Sequence, residues 1–356
     1  MTSGAWRRPS TSRSDLVPAA AILGTGLIGT SVGLALRAAG WVVTGWDPNR
    51  AVLAEALELE GIDASADNRN EAIGPADLVV LAGPPGAVVA DLAGLATEAL
   101  VTDVAGVKLP VVRAAQHLAH FVGGHPMAGR ENAGPHAASA ALFRGASWIL
   151  CTDGASDGDL TRMRDVVMSL GAVPVTMTAT EHDAAVAAIS HLPQVLASAL
   201  VEVAARDPHA LDLAAGSFRD LTRVALSEPT WWAELLVINE NEVRRVLGLL
   251  IETLDGWSAA LREGALDRLS GRLREARHLR RAMAPPVVAV GVVLEDRPGE
   301  LGAVGRALAV SGVDVRDLQL RHGPHGGGGV LTLSVRPGEA EALTVALAAE
   351  GFELEG

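Results

Sequence analysis

The chain has no tyrosine, four phenylalanines and a single cysteine in 356 residues. One cysteine, Cys151, excludes an internal disulfide and fits a reducing cytosol. It closes the apolar run Ser147-Trp148-Ile149-Leu150, the setting of a buried strand cysteine rather than a nucleophile. Lysine is nearly missing too: Lys108 stands against 28 arginines, which makes its position worth noting. Excess basic charge is absent; the formal net charge is −13 and argues against a nucleic-acid partner. The locally basic stretch from Arg262 to Arg281 faces Glu263, Asp267 and Glu275 and lacks interleaved aromatics, so it reads as a solvated or inter-subunit helix face. Long apolar runs are also missing. Those present, such as Ala19 to Leu23 and Asp77 to Ala82, are strand-sized, and no membrane span is expected. Residues 1–16 carry Arg7, Arg8 and Arg13 without the apolar centre of a signal peptide, and a disordered arm on a cytoplasmic protein is expected.

What is present is core-forming material. Apolar residues make up 49% of the chain and mean hydropathy is +0.27, over a length suited to two or three domains. Residues 17–178 alternate short apolar strands with helical patterns. Ala19 to Leu23, Val42 to Trp46, Leu78 to Ala82, Leu100 to Asp103, Phe121 to Gly124 and Ser147 to Cys151 read as strands. That rhythm predicts an α/β fold, a doubly wound parallel sheet of the Rossmann kind. Residues 179–283 lose the strand signals, and Val186, Ile189, Leu192, Val195, Leu196 and Leu200 recur at helical spacing. An all-helical domain is expected there, with apolar faces for a second subunit. Ala284-Pro285-Pro286 marks a linker, and residues 287–356 follow the order βαββαβ of a ferredoxin-like domain.

Two groups of residues carry chemistry. Gly24-Thr25-Gly26-Leu27-Ile28-Gly29 follows the first strand and opens a helix. Gly24 permits the tight turn, Gly26 lets the backbone approach a pyrophosphate, and Gly29 lets the helix pack on the sheet. Asp47 ends the second strand where an acid accepts from a ribose 2′-hydroxyl, so NAD is favoured over NADP; Arg50, three residues on, leaves some room for NADP. Gly83, Pro84, Asp103 and Lys108, past later strand ends, are assigned to the same cofactor site. No metal site is expected. The second group comprises Thr102-Asp103-Val104-Ala105-Gly106-Val107-Lys108, Gly123-Gly124-His125-Pro126-Met127-Ala128-Gly129-Arg130-Glu131, Ile189-Ser190-His191-Leu192-Pro193-Gln194 and Gly216-Ser217-Phe218-Arg219-Asp220-Leu221-Thr222-Arg223.

Together these segments resemble the prephenate dehydrogenase family, which includes arogenate and cyclohexadienyl dehydrogenases, from about Ala20 to Met283. The resemblance implies NAD-dependent oxidative decarboxylation of prephenate in tyrosine biosynthesis, by a homodimer. It implies that His125 is the catalytic base and that Arg223 anchors a substrate carboxylate. Arg219, one turn earlier, His191, Glu131, Gly216 and Gly106 are assigned to the substrate pocket. His191 also fits a core histidine, and Glu131 a surface acid. The family usually has serine where this chain has Gly106, which removes one hydrogen bond, worth about 1 kcal/mol. Glu295-Asp296-Arg297-Pro298-Gly299-Glu300 before a helix, in the βαββαβ order, resembles an ACT domain. Asp296, Arg297, Pro298 and Gly299 would then bind a regulatory amino acid such as tyrosine, although a purely dimerising domain has the same pattern. Arogenate as substrate, or a catalytically weak amino-acid sensor, are the readings kept beside this one. A 3-hydroxyacid or imine reductase would place a lysine on a helix of the second domain, where this chain has none.

Overall fold

The computed structural model describes residues 17–129, 134–283, 287–295, 297–322 and 328–355. The expected arm, the linker at 284–286, Arg130, Glu131, Asp296 and most of the glycine-rich turn lie outside the described residues. The chain divides into two compact units, Met1–Glu252 and Thr253–Gly356.

The first unit opens with β1 (Ala19–Leu23), α1 (Leu27–Ala38), β2 (Val42–Trp46), α2 (Arg50–Glu58), β3 (Ala64–Ser65), α3 (Arg69–Ile73), β4 (Leu78–Leu81), α4 (Pro85–Ala93), β5 (Leu100–Asp103), α5 (Leu109–Ala114) and β6 (Phe121–Val122). These strands form one parallel sheet in the order β3-β2-β1-β4-β5-β6, the expected doubly wound plan. Both faces of the sheet are covered. Ile22, Val43, Leu78 and Val80 lie in one core, and Leu23, Val79, Leu81 and Val101 in the other. Strands buried on both faces read as continuous apolar runs, which is why they were visible in the sequence.

The strand expected over Phe121 to Gly124 breaks in two. β6 stops at Val122, and β7 (Gly124–Pro126) pairs antiparallel with β8 (Ser147–Cys151) in a separate sheet. The break has a steric cause. A Cβ on Gly124 would stand 2.5 Å from the Asp103 carbonyl and 2.8 Å from Thr102 Oγ1, so only glycine lets the chain turn against β5 there. The sheet is completed, after α6 (Asp157–Ser169), by β9 (Val173–Met177), which the sequence reading did not separate.

Helices follow: α7 (Ala179–Val186), α8 (Leu192–Ala204), α9 (Pro208–Asp212), α10 (Gly216–Thr222), α11 (Pro229–Ile238), and α12 (Glu240–Arg262), which carries the chain into the second unit. Thr178 and Glu181 close a reciprocal capping box at the start of α7. A π-turn, Ala187–His191, joins α7 to α8. Pro193 cannot donate to the carbonyl four residues back, and the wider turn accommodates that loss. Within the continuous stretch Ala179–Ala204 an 18-residue window has mean hydropathy 1.6, longer than the strand-sized runs expected and apolar enough to cross a membrane by length and composition alone. Its His182, Asp183 and His191 are buried and hydrogen-bonded, as in the core helix of a folded domain.

The second unit holds α13 (Leu266–Ala282), then β10 (Val288–Leu294), α14 (Glu300–Ser311), β11 (Asp317–His322), β12 (Gly329–Val335), α15 (Ala340–Ala349) and β13 (Leu354–Glu355). The antiparallel sheet runs β11-β12-β10-β13, so the βαββαβ order is realised as expected. Alternate residues Val290, Val292 and Leu294 of β10 and Leu331, Leu333 and Val335 of β12 face a core shared with Val304 and Leu343.

Candidate functional site

The glycine loop sits at the carboxyl end of β1. Gly24 has φ +98°, and a Cβ there would meet the Ala82 carbonyl carbon at 2.7 Å; a Cβ on Gly29 would stand 1.9 Å from the Gly24 oxygen. A Cβ on Gly26, by contrast, would meet nothing within 4 Å. The first and third glycines are therefore demanded by packing, while the second faces open space at the amino terminus of α1. Gly26 caps that helix without a side-chain hydrogen bond, and Leu27 and Ile28 form its first turn, an arrangement suited to a phosphate. Asp47 is buried; its Oδ2 accepts from the Thr25 amide at 2.8 Å and its Oδ1 from the Asn49 amide at 2.8 Å. Arg50 is occupied elsewhere, donating to the Asp67 carbonyl at 2.9 Å and the Ala66 carbonyl at 3.3 Å. Gly83 and Pro84 lie in the turn where Pro84 caps α4. Beside this loop is a cavity of about 350 Å3 lined by residues including Leu23, Asn68, Arg69 and Asp91, with the Arg69 guanidinium 5.2 Å above the Trp46 ring.

A second cluster forms around β7. His125 Nδ1 lies 2.8 Å from His182 Nε2, and His182 Nδ1 lies 2.7 Å from Asp183 Oδ1. Asp183 is held in turn by two backbone donors at the start of α5: the Lys108 amide donates to Oδ1 at 2.7 Å and the Leu109 amide to Oδ2 at 2.8 Å. Asn239 Nδ2 donates to the Asp183 carbonyl at 3.0 Å and stands 3.2 Å from His191 Nδ1. The structure thus brings His125 and His191, predicted from separate segments, to one residue, Asp183. The Trp232 ring meets His191 edge-on at 6.1 Å. Burial, with like charges at His182, Lys108 and His191, holds His125 well below the ordinary histidine range. Burial pushes His191 down to about 4, against an opposing pull from Asp183. Both rings are neutral bases near pH 7.

Asp103 and Lys108 have a different place from the one expected. Both are fully buried and paired, Lys108 Nζ to Asp103 Oδ2. Lys108 also donates to the Gly124 carbonyl at 2.5 Å, while the Gly124 amide donates to Asp103 Oδ1 at 3.0 Å. With no exposed surface to offer a cofactor, the two side chains grip the peptide that precedes His125. That corrects their assignment as cofactor contacts.

Gly106 lies on the far side of the His125 ring: a Cβ there would stand 3.8 Å from His125 Nε2 and 3.3 Å from Leu235 Cδ1. Leu235, 2% exposed, occupies the space next to it. Gly216 and Arg219 are exposed on α10. Arg223 ends that helix and begins a 3-10 turn, Arg223–Leu226, packed against α8 just beyond His191. Glu131 lies outside the described residues. In the second unit Arg297 pairs with Glu295 at 2.8 Å, Pro298 is exposed, and Gly299 caps α14 with φ +98°.

His182, Asp183, Asn239 and Leu235 were not found from sequence. A signal existed for the first two. They stand on the face of α7 that also buries Ala179 and Val186, where an unpartnered acid would be costly. Glu234 was missed as well; its Oε1 accepts from the Gly86 amide at 2.7 Å and supplies the anion at the amino terminus of α4.

Residues 32–176 match the family model described as prephenate dehydrogenase, nucleotide-binding domain, and residues 178–275 the model described as prephenate dehydrogenase, dimerization domain. A Streptomyces niveus protein described as a probable prephenate dehydrogenase, NovF, is 34% identical over 91% of this chain and 96% of its own. The prephenate dehydrogenase of Bacillus subtilis is 28% identical over 88% of this chain and 91% of its own. Among solved structures, prephenate dehydrogenase from A. aeolicus in complex with hydroxyphenyl propionate and NAD+ superposes with a TM-score of 0.70 at 27% identity, covering 76% of this chain and all of that one.

Proposed function

The chain belongs to the prephenate dehydrogenase family, and on that premise we propose that it oxidises and decarboxylates prephenate to 4-hydroxyphenylpyruvate with NAD, in tyrosine biosynthesis. The observation that carries this reading is the cluster in which His125 and His191 meet through Asp183. NAD fits the first site: the cradle is open at Gly26, closed by packing at Gly24 and Gly29, and ends on a buried acid, with the nearby arginine committed elsewhere. Gly26, Leu27 and Ile28 would hold the pyrophosphate and Asp47 a ribose; Gly83 and Pro84 would border it. When bound, the nicotinamide accepts the hydride from the hydroxyl-bearing ring carbon.

The protein's own part is to hold substrate and take a proton. His125 Nε2 takes the proton of the ring hydroxyl; the carbonyl that develops draws electrons from the breaking bond to the ring carboxylate, which leaves as carbon dioxide. A neutral imidazole at pH 7 suits that task, and the position of His125 supports the role. Arg223 and Arg219 supply cations for the carboxylates, and His191, Glu131 and Gly216 line the pocket.

The exposed apolar residues Leu213, Leu221, Leu226 and Val237, within the span matched as a dimerization domain, support a homodimer. The lone Cys151, its thiol pushed up to about 12 by burial, supports a cytoplasmic protein with no redox role for that residue. The βαββαβ unit, with Arg297, Pro298 and Gly299 at the start of α14 and Asp296 in the same segment, supports reading residues 287–356 as an ACT domain that binds tyrosine or a related amino acid and regulates the enzyme. The test is NADH formation by purified protein with NAD and prephenate, with arogenate run in parallel and tyrosine titrated in. NADH from prephenate, suppressed by tyrosine, is expected. NADH from arogenate alone would change the substrate, and no NADH from either would overturn the enzyme assignment.

A further inference from the structure

We propose that His182 and Asp183 are positioning residues for this reaction: acting as a relay, they fix the tautomer of His125 so that its Nε2 carries the lone pair. The proposal rests on the reading of His125 as the base and goes beyond it, to what makes one of the two ring nitrogens basic.

Donors and acceptors along one line of atoms fix which ring nitrogen carries the hydrogen. A carboxylate only accepts, and a neutral imidazole has one donor nitrogen and one acceptor nitrogen. Asp183 accepts from the Lys108 and Leu109 amides and, at 2.7 Å, from His182 Nδ1. The hydrogen that the His182 ring gives to Asp183 is on Nδ1, and in an imidazole with one donor nitrogen Nε2 is then the acceptor. Nε2 lies 2.8 Å from His125 Nδ1. The hydrogen of His125 is therefore on Nδ1, and the lone pair is on Nε2. Had the two rings been turned the other way, His125 would present an N–H to the substrate hydroxyl and could not take its proton.

The surroundings agree with this polarity. Asp183 cannot swing away, because both oxygens are tied to the first turn of α5 and its own carbonyl is held by Asn239 at 3.0 Å. His182 is fully buried, so no solvent competes for its ring nitrogens. The backbone of His125 is fixed separately, through Gly124, by Lys108 and Asp103. On the other side of the His125 ring stands Gly106, which has no side chain, and among the described residues no hydrogen bond reaches Nε2. When the hydroxyl O–H bond breaks and Nε2–H forms, the imidazolium keeps its Nδ1–H on His182, and the new charge is met at the end of the line by Asp183. A buried carboxylate orients the histidine of a hydrolytic triad in the same way; here a second imidazole is interposed.

Histidine-selective 15N labelling tests this directly, because protonated and bare ring nitrogens resonate far apart. At pH 8, without substrate, the His125 signal, identified by its loss in His125→Asn, is expected to show a protonated Nδ1 and a bare Nε2. His182→Phe keeps the volume and removes the acceptor; it is expected to lower kcat on the order of 10- to 100-fold, a part of what a general base contributes, and to leave KM for NAD+ unchanged. His182→Gln keeps an acceptor oxygen and is expected to fall between parent and Phe variant. A His125 ring protonated at Nε2 in the parent would overturn the proposal, as would a folded His182→Phe protein turning over within about twofold of the parent, since loss of the base itself costs at least about 100-fold. The spectrum needs neither variant folding at position 182 nor turnover, so it decides the relay even if the protein proves inactive on prephenate.

Discussion

Leu235 packs against the space beside Gly106: a Cβ at residue 106 would be 3.3 Å from Leu235 Cδ1 and 3.8 Å from His125 Nε2. The apolar contact and the missing side chain belong together. Gly106→Ser puts a hydroxyl within reach of the His125 imidazole while crowding Leu235. One such hydrogen bond is worth about 1 kcal/mol, so kcat/KM is expected to rise by no more than about fivefold. The melting temperature is expected to fall slightly and to recover when Leu235→Ala is added. A 100-fold loss of activity in the serine variant would show that the space beside Nε2 is needed empty.

The buried pair Lys108–Asp103 is a second fixed point. Removing the cation by Lys108→Met leaves a buried carboxylate without its partner, which costs about 3–5 kcal/mol. Chemical denaturation is expected to show that loss, and Lys108→Met with Asp103→Asn is expected to regain part of it. Equal stability of parent and Lys108→Met would mean the pair contributes nothing.

On the proposed reading, Asp47 and Arg50 govern cofactor choice. Asp47→Ser is expected to raise KM for NAD at least about tenfold, the effect of one or two lost hydrogen bonds to a charged group. Little activity with NADP should be gained, because Arg50 remains tied to the Ala66 and Asp67 carbonyls. Strong NADP activity in this variant would show that Arg50 swings free.

Acid stability carries the imprint of His191. The unfolded chain takes up this proton near the ordinary histidine value, about 6.5. The folded chain, in which burial outweighs the pull of Asp183, takes it up at about 4. Between those values the unfolded state binds more protons, so stability is full above the window and falls as pH drops through it. His182, Asp183, Asn239 and Trp232 face the ring. Urea midpoints measured from pH 7 to pH 4 are expected to fall more steeply for the parent than for His191→Gln. Parallel curves would remove His191 as the cause.

Much of this was legible in the sequence, and the reasons are physical. The strands of the parallel sheet are buried on both faces, so they stood out as apolar runs, and Gly24, Gly29 and Asp47 announced themselves by spacing. His125 and His191 were visible because short segments surround them. What joins them was not. Asp183 meets Lys108 and Leu109 across more than seventy residues, and Asn239 reaches back to it from the end of α11. No local pattern encodes such contacts. The break between β6 and β7 was missed for a related reason, since it depends on how closely Gly124 approaches β5. The role of Lys108 was misread because a lysine at a strand end points equally to a ligand or to a buried partner, and only burial separates the two.

The role of His125 as the base for oxidation of prephenate is the step on which the proposed mechanism turns. Its most direct test is the rate of NADH formation from NAD and prephenate by His125→Asn beside the parent, with NAD binding measured on both. Robust turnover by the parent, a loss of about 10²- to 10⁴-fold in kcat for the variant, and equal NAD affinity are expected. Undiminished turnover by the variant would contradict that role.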